Sequence, residues 1–444
     1  MWGSIFLVIG AIAALWQGAE QKPVPPPQRT VAELQALQPK DLRTPLTSQA
    51  GERAAFEAAV QMVQETLSLP PGPETEARLP QALHAIALFN LDRTQGLPAL
   101  LRVIDGVGQK DATYQRELLS AVHTLYWKEA APQVRPLLPQ IKTPREFAIA
   151  AYVLLRANDS AEVRTYIDQQ MRVVFSDPEQ EPRLVALTTR LQVTPDQEVK
   201  QRPPLVELLR APLRPGYPVV FSFQRSNRQH HGLAVVRGAD GRFVRNADGS
   251  YFNIAQATLA LTQLPGTITN GNTPQGLFVV KGTGTATNPW IGPTPYLRSK
   301  VPFEAQPSDF DTPALDSVPG VWTQDLYLSY FPPSWRSYRP IREAFLAGQA
   351  GRDEMLLHGN AVNPDYYRNE PYFPYAPAAG CMVAQEYWAK DDGTLVYSDQ
   401  LGLVKAFTSR GQRDGYVFVI ALDDRQQPVT LAEVVQAMMA AEAP

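Results

Sequence analysis

The sequence predicts a multidomain chain in which an all-α array of helical repeats is followed by a mainly β (α+β) domain, and three observations carry that prediction. The first is length, because 444 residues exceed what one ordinary core accommodates. The second is a change of texture. Up to about residue 200 Ala, Leu and Gln recur at helical spacing with Pro and Asp at the interruptions; beyond it come short runs rich in Val, Phe and Tyr, bounded by Gly, Asn and Asp. The third is internal similarity among three stretches of the first half.

The chain opens "MWGSIFLVIGAIAALW", an apolar run shorter than the roughly 20 residues that span a bilayer. It is expected to be a signal peptide or a short membrane anchor over residues 1–19, and the protein to be exported to the periplasm or cell envelope. "QKPVPPPQR" follows, and its prolines favour an extended, semi-rigid linker over 20–29. Residues 30–200 are expected to form the repeat domain. The three related stretches are "LHAIALFNLDRTQGLPALLRVI" from Leu83, "LLSAVHTLYWKEAAPQVRPLLPQI" from Leu118 and "FAIAAYVLLRANDSAEVRTYI" from Phe147. Each reads as helix, polar turn, helix, with a period of about 30–36 residues that suits a solenoid. His84 and His123 sit alike on the first helices of two repeats with no ligand-spaced acid or thiol nearby, so they are read as packing residues.

A second Pro-rich passage, "QRPPLVELLRAPLRPGYP" at 201–218, marks the boundary. The β domain is expected over 215–425, with strands in "YPVVFSFQ", "HGLAVVRG", "GRFVRNADGSYFNI", "GLFVVKG" and "GYVFVIAL". "LAEVVQAMMAAEA" predicts a helix within 426–444. The Asp-Gly pairs of "GADGRF" and "NADGSY" suit hairpin turns and lack the oxygen ligands of a calcium loop. On a regular strand His230 and His231 would point to opposite faces and could not both serve one site, and a polar role at the edge of a turn is expected for them.

Composition narrows the function. Apolar residues at 44% place the chain among globular proteins, and a net charge of −3 without any basic run argues against a nucleic-acid partner. The lone cysteine of the chain, Cys381, has no partner for an internal disulfide. In an exported protein such a thiol points to a reactive role or an intermolecular pair, with a small buried hydrophobe as the plain alternative.

Cys381 lies in "LLHGNAVNPDYYRNEPYFPYAPAAGCMV", which also holds His358. A thiol with an ordinary pKa near 8.5 needs an imidazole or a helix N-terminus to become a nucleophile, and His358 is the candidate base. Small or stiff residues, Pro377 to Gly380, let a carbonyl approach the Gly380 and Cys381 N–H groups, a candidate oxyanion hole. "MVAQEYWA" is expected to start a helix whose dipole favours the thiolate. Histidine precedes cysteine, the reverse of papain-like and NlpC-like peptidases.

The His358-Gly359 pair, the Gly380-Cys381-Met382 run and the earlier "NTPQGLFVV", with Thr273, Pro274, Gly276 and Phe278, together resemble the L,D-transpeptidase (YkuD-type) catalytic domain over roughly residues 215–425. The family has Ser-x-Gly-Cys, a hydrophobic residue and Arg or Asn; here Ala378, Ala379 and Val383 leave a hydroxyl and a polar group missing beside the sulfur. The resemblance implies an exported enzyme with Cys381 as nucleophile, His358 as base oriented by a backbone carbonyl, and Gly380 in the oxyanion hole. Its substrates would be peptidoglycan stem peptides, joined through a thioester acyl-enzyme, and it calls for no metal or organic cofactor. Gly359 and, from the aromatic insert, Tyr366, Arg368 and Tyr372 are the candidate substrate-binding residues. With Tyr367, Phe373 and Tyr375 they form either a lid presenting a cation to a substrate carboxylate or an aromatic loop packed over the sheet. L,D-carboxypeptidase activity is the first alternative. The second is a degenerate domain whose helical repeats bind a protein partner.

Overall fold

The computed structural model describes residues 28–211, 213–310 and 320–443. The expected signal or anchor and most of the Pro-rich linker lie outside them. Among the described residues no helix is long and apolar enough to cross a membrane. The chain divides into a helical unit and a β unit, the α-then-β order that the texture of the sequence predicts.

The helical unit comprises residues 49–192 and 261–264. Its helices start where local chemistry supplies the missing acceptors for their first N–H groups. The Asp111 side chain accepts from Thr113 and Tyr114 ahead of Ala112–Leu125, and Ser160 accepts from Val163 ahead of Ala161–Val174. Proline opens Pro73–Leu88, Pro144–Ala157 and Pro182–Gln192, where its absent N–H costs nothing. These helices pack in succession: Pro73–Leu88 on Ala112–Leu125, that helix on Pro144–Ala157, and the latter on Pro182–Gln192. Pro144–Ala157 is buried almost throughout, from Glu146 to Leu155. His123 is buried and His84 half-buried within the unit, and desolvation holds both imidazoles well below their ordinary value. His123 Nδ1 donates to Thr262 O at 2.8 Å.

The β unit takes residues 28–48, 193–260 and 265–443. This division corrects the expected boundaries at both ends. Residues 30–48, assigned from sequence to the repeats, join the β unit: Gln35 donates to Lys405 O and Thr408 Oγ1, and Arg43 bridges to Thr394. Residues 193–214 join it too, and 261–264 leave it.

Eight strands close a barrel in the order β1 (Val219–Arg225), β10 (Asp414–Asp423), β4 (Gly276–Gly284), β5 (Tyr296–Lys300), β6 (Leu357–His358), β7 (Met382–Ala384), β3 (Asn253–Ala257) and β2 (Gly232–Arg237). β8 (Glu386–Trp388) and β9 (Leu395–Ser398) form a separate hairpin. Two neighbouring pairs are parallel, β1 with β10 and β6 with β7. "MVAQEYWA" is therefore β7 and β8 rather than a helix.

One apolar cluster draws on all eight barrel strands, with Val220, Ala234, Ile254, Phe278, Leu297, Leu357, Met382 and Val417 among its members. It is the lumen, and Leu403, Val404 and Phe407 of the helix Asp399–Thr408 pack into the same cluster. A second cluster takes the opposite faces of β1, β2, β4 and β10, through Phe221, Leu233, Leu277 and Phe418, and covers them with Leu208, Tyr327, Phe345 and Met438. Those covering residues lie on Leu205–Leu209, Gln324–Ser329, Glu343–Gln349 and Val435–Glu442. Coverage of both faces explains why β1 is buried at every position, Ser222, Gln224 and Arg225 included, instead of alternating between buried and exposed. Arg225 ends that strand fully buried, paired with Asp423 and Glu433, and ties the segment leading to the C-terminal helix onto the barrel.

Candidate active site

β6 and β7 run parallel with Leu357 opposite Met382 and His358 opposite Val383. Leu357 and Met382 face the lumen, so by the two-residue period of a strand His358 and Val383 face away from it. Cys381 directly precedes β7 and Met382 N donates to Leu356 O at 2.8 Å, which extends the register by one residue. Strands about 4.8 Å apart, rising about 3.3 Å per residue, put the His358 and Cys381 Cα atoms about 8 Å apart on the same face. The register thus sets two residues that lie 23 apart in sequence (381 − 358) on one face of adjacent strands, while the hydrogen bonds of the sulfur go to Glu354 and Leu356 and that of the imidazole to Gly359.

The imidazole of His358 is buried, and its Nδ1 bonds to the Gly359 carbonyl. A carbonyl only accepts, so Nδ1 carries the proton and Nε2 holds the free lone pair. Burial pushes the His358 pKa down to about 4, against the raising effect of that bond. Near neutral pH it is an uncharged base.

The Cys381 residue keeps part of its surface open while its sulfur sits among protein atoms. Sγ donates to Glu354 O at 3.6 Å and accepts from Leu356 N at 3.4 Å. Burial pushes the thiol up to about 11, opposed by the Leu356 N–H and by the charge of Arg352. The resting pair is therefore a neutral thiol and a neutral imidazole, not the ion pair that a helix N-terminus at Cys381 would have favoured. Neither the Gly380 nor the Cys381 N–H donates to any described residue.

The turn before the sulfur is held from two sides. On one side, Thr273 Oγ1 donates to Gly380 O at 2.8 Å. The threonine of the Thr-Pro-x-Gly-x-Phe segment thus pins the cysteine turn, while Phe278 anchors the segment in the lumen. Gly276 has φ +134°, and a Cβ there would collide with Tyr327 and the Ile341 carbonyl. On the other side, Arg352 is buried and donates to Gly266 O at 2.6 Å, Asn272 O at 2.9 Å and Ala379 O at 3.3 Å. Burial lowers its pKa only to about 10, so it stays charged. Gly380 has φ +114°, and a Cβ on it would strike the Arg352 guanidinium. A cation thus stands beside the sulfur after all, supplied from 29 residues upstream (381 − 352) rather than from the positions flanking Cys381.

The candidate substrate-binding residues divide. Gly359 is hemmed in, with the Glu386 carboxyl where its Cβ would be, so it is a packing position and not an open contact. Tyr372 is buried against Tyr367, with ring centroids 5.6 Å apart, and Tyr375 packs on His231 at 5.0 Å. Tyr366 is half-buried, and Arg368 is exposed and paired with Asp365 at 3.0 Å on its own turn. The insert is chiefly an aromatic plug packed on the barrel. Two site residues escaped the sequence reading, Arg352 and Glu386. "GRDEM" and "QEYW" carry no local signal for either, since each acts on a segment distant in the chain.

Among the described residues no group of His, Cys, Asp and Glu is arranged to hold a metal ion. Comparison with family models, with curated proteins and with solved structures found no match. The class defined by fold and site is a closed-barrel domain with a histidine on one strand and a cysteine directly before the adjacent parallel strand, preceded in the chain by a helical unit.

Proposed function

We propose that this chain is an exported cysteine acyltransferase acting on peptidoglycan stem peptides, an L,D-transpeptidase in kind. The observation that carries the reading is the β6–β7 register, which sets His358 and Cys381 on one face with the imidazole held by the Gly359 carbonyl, together with the Thr273 segment packed behind the cysteine turn.

With both partners neutral at rest, the thiol proton passes to His358 Nε2 as the Cys381 sulfur forms its bond to the substrate carbonyl carbon. The oxyanion develops toward the unmatched Gly380 and Cys381 N–H groups, and the Arg352 charge favours it electrostatically. Collapse breaks the C–N bond to the terminal D-residue. The imidazolium returns its proton to the departing amine, and a thioester remains. An amine of a second stem then attacks the thioester carbonyl and gives its proton to His358 Nε2; the C–S bond breaks to leave the amide crosslink, and the imidazolium returns the proton to the departing thiolate.

Incubation with tetrapeptide muropeptides, followed by mass analysis, tests this. Crosslinked dimers and an acyl adduct on Cys381 are expected, and Cys381→Ala removes both. Shortened monomers in place of dimers would assign carboxypeptidase activity. Iodoacetamide supplies a substrate-free check. Alkylation of Cys381 is expected to be slow at pH 7 and to climb as pH rises toward about 11, because the thiolate fraction grows toward the raised pKa. His358→Ala slows it. If that variant reacts at the wild-type rate and no adduct forms with muropeptides, the catalytic reading fails and the helical unit becomes the functional part.

A further inference from the structure

Glu386 is the buried acid of the β unit that the acyl-transfer steps leave unused. It opens β8, two residues beyond the last residue of β7, and is 7% exposed. One carboxyl oxygen, Oε2, accepts from Asn360 N at 3.0 Å, and the other, Oε1, accepts from Ser398 Oγ at 2.6 Å. The Thr294 hydroxyl faces the same carboxyl without reaching hydrogen-bond geometry. The charged group that faces it is Asp399, of like sign, and among the described residues no cation pairs with it.

The Asn360 N–H belongs to the same peptide unit as the Gly359 carbonyl, and that carbonyl accepts the His358 Nδ1 proton. Carboxyl, peptide and imidazole therefore stand in one hydrogen-bonded line. A peptide is a resonance system, so a negative charge at its N–H end shifts electron density to its oxygen and strengthens the bond that the oxygen accepts. Gly359 is what permits the approach, because any Cβ there would occupy the carboxyl's place.

We propose that Glu386 is a positioning residue that fixes the tautomer of His358 and raises its basicity through the Gly359–Asn360 peptide, so that the site gains reactivity as this carboxyl ionises. The inference rests on the Cys–His reading and adds to it the way the site is regulated. The device is the carboxylate–imidazole pair of a catalytic triad with one peptide inserted between its members. Burial, the first cause, holds the Glu386 carboxyl up at about 7, against the hydrogen bonds from Ser398 and Asn360. The charge that supports the imidazole is accordingly present above neutral pH and absent in acid.

The test follows the iodoacetamide rate at Cys381 from pH 5 to 9 in the full chain. Wild type is expected to show an inflection near pH 7 superposed on the rise due to the thiol. Glu386→Gln keeps an oxygen for the Asn360 N–H but has no charge; it should lose the inflection and react about tenfold more slowly at pH 8, the equivalent of one pKa unit. A group that merely props the loop would leave the profile unchanged. Should the variant fail to fold, the His358 Nδ1 proton in wild type decides by NMR, since it should shift downfield as pH rises through 7. A static resonance, or superimposable profiles, overturns the role of Glu386 while leaving His358 as base. An unchanged rate in His358→Ala overturns the catalytic reading itself.

Discussion

Gly380 and Gly359 each leave a space that a polar side chain from elsewhere fills, the Arg352 guanidinium in one case and the Glu386 carboxyl in the other. Glycine at these positions is thus a requirement of close approach, and Gly380 adds a left-handed backbone at φ +114°. Gly380→Ala is expected to cost about 1–3 kcal/mol from backbone strain alone. Displacing Arg352 should also slow Cys381 alkylation; urea unfolding and the alkylation rate measure the two separately. Glu386 makes a pH prediction for stability. Its folded pKa of about 7 lies above the ordinary 4.5, so the folded state binds the extra proton. That stability is complete below about 4.5 and is lost as pH rises through 7, a change on the order of 3 kcal/mol. Glu386→Gln should remove this fall, so thermal unfolding curves of the two proteins, compared at pH 5 and 8, are expected to diverge toward a relatively more stable variant at pH 8.

At the scale of elements the site depends on two very short strands. β6 has two residues and β7 three, yet their register alone decides that His358 and Cys381 share a face. A slip of one residue would turn either side chain to the other face. Thr273 guards against that slip by holding Gly380 O. Thr273→Val keeps the shape and removes the hydroxyl, and is expected to cost about 1 kcal/mol of stability. Its effect on Cys381 alkylation should exceed that of a threonine exchanged elsewhere in the barrel, which a parallel Thr283→Val control measures. "MVAQEYWA" reads locally as a helix because Met, Ala, Gln and Glu are good helix formers. It forms strands because Met382 and Ala384 fill the lumen while Val383 faces out, and burial of that alternating set outweighs a weak local preference.

The β unit as a whole buries apolar side chains on two surfaces, the lumen and the helix-covered outer face. Phe418 belongs to the outer one, stacked on Phe221 with ring centroids 5.6 Å apart and meeting Phe331 edge-on at 5.5 Å. Phe418→Ala is expected to lose about 3–5 kcal/mol of stability in chemical denaturation, with the helical unit's transition unmoved if the two units unfold independently. The order of an α and a β region was legible in the sequence because helical and strand periodicity are local properties. So were the candidate histidine and cysteine, whose residue types stand out by their rarity. The boundaries were less legible, since residues 30–48 read as helical yet pack against the barrel unit.

By itself, then, the sequence determined the α-then-β order of the chain and which residues are chemically able to act as base and nucleophile. Tertiary structure alone decided that Arg352 lies beside the cysteine turn, that Glu386 reaches the Gly359–Asn360 peptide, and that the thiol and imidazole rest uncharged. The reason is physical: period and propensity are set between residues a few positions apart. Charge, burial and hydrogen-bond partners at the site come from segments tens of residues distant, whose approach is encoded only in the closed barrel.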